Sequence, residues 1–160
     1  MFHNLLQGWV SLYANNALVR TLVVFVHVGG LLLGGGAAVV ADRATLRAFH
    51  RGESERARQL QDLAATHRLV LASLAAVIAT GLLQFFSDTA TFLHTWIFFT
   101  KMGLVLALLV NGALLTRFEA QAVARAPHAQ REWRCLRAVS VLSLCLWLAI
   151  TLAGAGLISM

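Results

Sequence analysis

Four apolar runs divide this chain, and turns rich in arginine or polar residues separate them. The runs cover about 20–41, 68–87, 95–116 and 138–159. Each is close to the roughly 20 residues that a helix needs to cross a bilayer. The lengths predict four membrane spans in a single domain over 1–160. Short links between successive spans favour neighbours that run in opposite directions. The expected fold is all-α, an integral membrane antiparallel four-helix bundle.

Ahead of the first span, Leu5, Leu6, Trp9, Leu12 and Tyr13 fall at helical spacing. Aromatic residues in such a stripe suit the headgroup region, which predicts a short N-terminal interfacial helix. The segment 1–16 carries no Lys or Arg and does not read as a secretory signal. Leu46, Phe49, Leu60 and Leu63 lie among arginines between the first two spans. That pattern fits either helical extensions of those spans or a helix on the membrane surface.

Charge sets the expected orientation. Of the 13 Lys and Arg, six fall in 42–68 and five in 117–137. By the positive-inside rule both segments are cytoplasmic. The chain is then a multi-pass protein of the cell (inner) membrane, with both termini and the 88–94 link outside the cytoplasm.

Hydrophobic residues make up 59% of the chain and charged residues 12%, about half the share usual in soluble domains. The arginines flank spans and alternate with Glu53, Glu55, Asp62, Glu119 and Glu132. Anionic headgroups account for them, and nucleic acid is not an expected partner. Cys135 and Cys145, ten residues apart, have no metal or redox spacing and read as packing residues. His50 and His128 read as solvated loop histidines, and Pro127 is the sole proline.

Two ionisable residues interrupt the runs, His27 in the first and Lys101 in the third. Bilayer hydrocarbon disfavours both, so they head the list of functional candidates. His27 lies seven residues past Arg20, and Lys101 seven past His94. At 1.5 Å per residue both reach roughly 10 Å below the same boundary. Thr80 and Gln84 on the second span and Thr151 on the fourth fall near that depth, giving one polar layer. The spans themselves hold no acidic residue by this count. Lys101 is therefore expected to be neutral, to snorkel toward Asp88, or to pair with an anionic ligand.

His27 is followed by Gly30, Gly34 and Ala38 on one helical face. Bare backbone beside an imidazole admits a flat macrocycle whose iron the imidazole ligates. The same stripe also suits close packing of a neighbouring helix. A haem takes one or two axial ligands, and Lys101, His94 and His67 are the candidates for the second. His67 starts the second span about one leaflet deeper. His3 could approach from the interfacial helix. Copper handling through His27, His94 and Met102 is the alternative, with only three Met in the chain to supply soft ligands. Catalytic nucleophile patterns, phosphate loops and zinc spacings such as HExxH are absent.

Several short motifs carry a family resemblance. His27-Val-Gly-Gly, His67-Arg68, Thr80-Gly81 and Trp96 to Lys101-Met-Gly-Leu-Val-Leu, with Asn111 ahead of Arg117, resemble the first three spans of a superfamily of small four-helix membrane units. That superfamily includes CopD-type copper-resistance domains and HemJ-type protoporphyrinogen oxidases. The resemblance covers roughly two thirds of the chain. It implies that His27 is a haem or metal ligand and that Lys101 is the matching buried cation. The fourth span lacks the Asn-Glu-Val-Pro-like start of the HemJ type, and the chain has half the spans of a full CopD protein. The resulting expectation is a b-type haem protein in membrane electron transfer, serving a quinone or a redox partner subunit. Its site residues are His27, Lys101, His94, Gly30, Gly34, Thr80 and Gln84, with His27, His94 and His67 as metal ligands. The alternatives are copper handling or a non-catalytic accessory subunit, and association into oligomers is compatible with each.

Overall fold

The computed structural model describes residues 2–51, 53–125 and 130–158. Pro127 and His128, and the side chain of His3, lie outside the described residues. Six helices follow one another: α1 (Phe2–Asn15), α2 (Ala17–Phe49), α3 (Glu53–Ser87), α4 (Thr89–Leu93), α5 (Trp96–Ala124) and α6 (Gln130–Ile158). Among the described residues there is no β-strand. Four helices, α2, α3, α5 and α6, are long and apolar enough to cross a membrane.

Helix boundaries follow local chemistry. Asn16 adopts extended backbone and its side chain accepts from the N–H groups of Leu18 and Val19, which ends α1 and caps α2. Asp88 caps α4 in the same way through the Thr91 N–H. The expected polar link at 88–94 is thus a short helix. The arginine-rich segments continue the spans as helix, so α2 runs eight residues past 41 and α5 eight past 116. These extensions decide between the two arrangements that the sequence left open for 42–67.

Residue pairings show how the long helices meet. On α2 and α3, Gly30 faces Val77, Gly34 faces Ser73, and Thr45 faces Gln59, numbers rising on one helix as they fall on the other. On α5 and α6 the Asn111 amide donates to the Val139 carbonyl, and Ile97 approaches Gly156. Gly35 of α2 lies against Trp147 of α6. Across the fourth side, α3 and α5 touch chiefly near their ends, where His67 meets Glu119 and Phe85 stacks on Phe98 at 5.3 Å. All four neighbours run antiparallel.

Small residues explain the closest approach. A Cβ added at Gly34 would sit 2.7 Å from Ser73 Cβ, and one at Gly30 2.8 Å from Val77 Cγ2. The stripe of the first span is therefore occupied by α3. Its spacing carries on through Ala38, Asp42, Thr45 and Ala48, all buried. One apolar cluster joins Ala38, Leu74, Leu108, Leu146, Trp147 and Ile150, and a second joins Ala48, Ala122, Trp133 and Leu136 at the arginine-rich end.

The outer surface is apolar, with Phe25 71%, Leu32 72% and Leu152 75% exposed. Polar Thr45, Asn111, Ser140 and Ser143 lie inside. Burying the polar groups and exposing the leucines suits a hydrocarbon solvent.

Candidate functional site

Where α3 and α5 part, two cavities open along the groove between them. The first, about 380 Å³, is lined by His27 of α2, by Val77, Gly81, Gln84 and Phe85 of α3, by Phe92 of α4, and by Phe98, Lys101 and Met102 of α5. Its walls are otherwise apolar and aromatic.

His27 is held in one orientation. Its Nδ1 lies 3.0 Å from Thr80 Oγ1. The Thr80 hydroxyl has one proton to give, and the Ala76 and Val77 carbonyls lie 2.6 and 3.2 Å from its oxygen. The hydroxyl oxygen then accepts, so Nδ1 carries a proton and, in the neutral ring, Nε2 keeps the lone pair. Gly81 leaves room for the ring, since a Cβ there would stand 3.4 Å from His27 Cε1. A neutral imidazole with Nδ1–H anchored and Nε2 open is the state in which histidine ligates iron or accepts a hydrogen bond.

Lys101 enters the same cavity. No carboxylate lies within ion-pair distance of it among the described residues. Its ammonium approaches Gly154 of α6, where an added methyl would be 3.7 Å away. Asp88, the outward partner considered for snorkelling, is exposed and accepts from the Thr91 N–H. The Gln84 amide also borders the cavity, and its Nε2 is buried with no hydrogen-bond partner.

The sequence-derived site residues divide into two groups. His27, Gln84 and Lys101 line one cavity, and Thr80 bonds His27 without lining it. Gly30 and Gly34 face Ser73 and Val77 and serve the α2–α3 contact. Thr151 is exposed and returns its hydroxyl to the Trp147 carbonyl of its own helix. His94 is exposed at the end of α4, with Nδ1 2.7 Å from the Ala90 carbonyl, and does not line the cavity. His67 sits far along α3 beside Glu119, Nδ1 to Oε2 3.2 Å. The structure therefore does not bring His27, His94 and His67 together. Among the described residues, no three His, Cys, Asp or Glu side chains are placed to hold a metal ion.

Sequence reasoning missed a second polar cluster. The four apolar runs hold no acid, but Asp42 directly follows the first within α2, is 3% exposed, and borders a cavity of about 270 Å³ with His67, Asn111 and Ser143. Counting Asp42 as the first residue of a loop hid it. The four-residue spacing from Gly30 through Ala38 to Asp42 was the available signal. The aromatic wall of Phe85, Phe92 and Phe98 was also missed, because it comes from three helices.

The chain matches no protein-family model, no curated protein and no solved structure.

Proposed function

We propose that this protein is a multi-pass membrane protein that binds haem b beside His27 and acts in membrane electron transfer. The observation that carries the reading is His27, bonded through Nδ1 to Thr80, on the wall of an apolar, aromatic cavity. The donor set fits the group. His27 would hold the iron through an imidazole nitrogen, and Lys101 would supply a cation for a propionate. The Gln84 amide would donate a hydrogen bond to the same carboxylate. Met102 also lines the cavity, and no second imidazole lines it among the described residues.

Haem, when bound, supplies a one-electron couple. The chain orients the imidazole through Thr80, excludes water with Phe85, Phe92 and Phe98, and opposes negative charge with Lys101. A quinone or a membrane partner subunit is the proposed exchange partner. The arginine-rich ends of the helices face the cytoplasm in this reading, by the positive-inside rule, and the termini face outward.

The test is a reduced-minus-oxidised visible spectrum of detergent-purified protein expressed with haem supply, together with His27→Ala. A b-type difference band that disappears in the variant is expected. A flat spectrum from haem-replete wild-type protein overturns the proposal and leaves copper handling or an accessory role.

A further inference from the structure

At the arginine-rich end, three helices meet around the rings of Phe49 and Trp133. Phe49 closes α2, Arg56 stands in the first turn of α3, and Gln130, Trp133, Arg134 and Arg137 belong to the start of α6. Phe49, Arg56, Gln130, Trp133 and Arg134 line a pocket of about 180 Å³. Trp133, buried, ties the pocket to the apolar cluster of Ala48, Ala122 and Leu136.

Arg56 is held there without an acid. Its guanidinium carbon lies 5.8 Å from the Phe49 ring centre and 5.5 Å from that of Trp133, and Nη2 donates to the Phe49 carbonyl at 2.8 Å. Its Nε is enclosed and unpartnered, whereas Nη1 is neither enclosed nor hydrogen-bonded among the described residues. Arg137 places a second guanidinium 5.3 Å from the Phe49 ring centre, and exposed Arg134 brings a third to the pocket wall. Of the acids nearest in sequence, Glu132 pairs with Arg125 and Glu55 with Arg51 and Arg58. Among the described residues, no carboxylate forms an ion pair with Arg56, Arg134 or Arg137. Stacking on the rings orders Arg56 before any ligand arrives, which lowers the entropy lost on binding.

We propose that this pocket binds the phosphate group of an anionic phospholipid, with Arg56 and Arg134 donating to its oxygens and Arg137 adding positive charge. The guanidinium fork matches the geometry of phosphate oxygens. Depth selects the lipid. Trp133 lies five residues before Ala138, where the fourth apolar run begins, which is about 7.5 Å at the rise of a helix. The headgroup layer extends roughly 5–8 Å beyond the hydrocarbon on each side, so the pocket lies at the level of lipid phosphates. Basic pockets between membrane helices suit such headgroups. This assignment is independent of what the His27 cavity holds.

Equilibrium binding of tritiated dioleoyl phosphatidylglycerol to the full chain in detergent is compared with that of dioleoyl phosphatidylcholine, which has the same chains and phosphodiester but no net charge. The anionic lipid should bind at least roughly tenfold tighter. Arg134→Gln, at an exposed position, should weaken that binding about fivefold, the effect of one arginine near the headgroups. Arg56→Gln should weaken it at least as much. The double variant Arg43→Gln, Arg117→Gln removes two exposed charges outside the pocket and should leave the affinity nearly unchanged. Equal binding of the two lipids overturns the proposal. Wild-type affinity in both Arg134→Gln and Arg56→Gln overturns it as well. An equal loss in the Arg43, Arg117 double variant would show a diffuse positive field instead of a pocket, and overturns it too. Inorganic phosphate added as competitor identifies the source. Lipid retained in millimolar phosphate supports the headgroup, whereas displacement gives the site to a soluble phosphate and overturns the lipid assignment.

Discussion

His27 Nδ1 and Thr80 Oγ1 lie 3.0 Å apart across the α2–α3 contact, and the hydroxyl's bond to the Ala76 carbonyl fixes which of them donates. Thr80→Val keeps the shape of the side chain and removes the acceptor. The imidazole N–H is then unpaired, at about 1–3 kcal/mol, and the ring loses its orientation. A haem titration should show affinity reduced by roughly 10–100-fold, the usual effect of losing a group that orients a ligating histidine. Thr80→Ser should keep most of the affinity. Wild-type affinity in Thr80→Val would show that Thr80 does not set the ring.

Lys101 puts a cation in a cavity with no carboxylate among the described residues. Lys101→Met should raise the melting temperature of the ligand-free protein, because a charge within an apolar span costs on the order of 3 kcal/mol. The same change should weaken binding of a propionate-bearing macrocycle about tenfold, with Lys101→Arg close to wild type. Opposite effects on stability and on binding separate a ligand-pairing lysine from one that only reaches toward the interface.

Gly34 and Gly36 differ by half a helical turn and in what they touch. A methyl at Gly34 would meet Ser73 Cβ at 2.7 Å, whereas nothing lies within 4 Å of one at Gly36. Gly34→Ala should destabilise by about 1–3 kcal/mol through forced separation of α2 from α3. Gly36→Ala should be neutral or stabilise by up to about 1 kcal/mol, from helix propensity. Thermal unfolding in one detergent compares the two directly, and similar melting shifts would contradict the close α2–α3 packing.

His67 and Glu119 join α3 to α5 with side chains 16% and 12% exposed. Their coupling should be about 1–2 kcal/mol in a double-mutant cycle built from His67→Gln and Glu119→Gln. Because α3 and α5 touch little elsewhere, losing the pair should also speed amide exchange in that part of both helices. Additive single variants would mean that the pair does not hold the groove.

Asp88 provides the pH-dependent feature outside the spans. The Thr91 hydroxyl and then the Thr91 backbone N–H hold its carboxyl below the ordinary carboxylate range. A carboxylate depressed in the folded state stabilises above its unfolded pKa, and the contribution disappears as pH falls through the lower folded value. The amide resonance of Thr91 should therefore titrate at a pH below roughly 3.9. Asp88→Ala should abolish that titration and fray α4, whereas a midpoint at or above the ordinary value would refute the cap.

The sequence by itself determined four long apolar helices, because bilayer length and helix rise leave little freedom once a run of about 20 residues is uncharged. It also determined the level of His27 and Lys101, since depth along a helix is a matter of counting. Thr80 and Gln84 came with them for the same reason. What counting along a helix does not supply is azimuth and partner. Thr151 shares the depth and turns outward. Gly30 and Gly34 share the face of His27 and are covered by α3. Asp42 lies just past the apparent end of a span and is buried because α2 continues. His67 and Glu119 are 52 residues apart and meet only when α3 and α5 lie side by side. The two cavities belong to that same pairing, in which two helices flank a groove without filling it. Side-chain volumes at helix contacts settle that arrangement, and those contacts exist only in the folded chain.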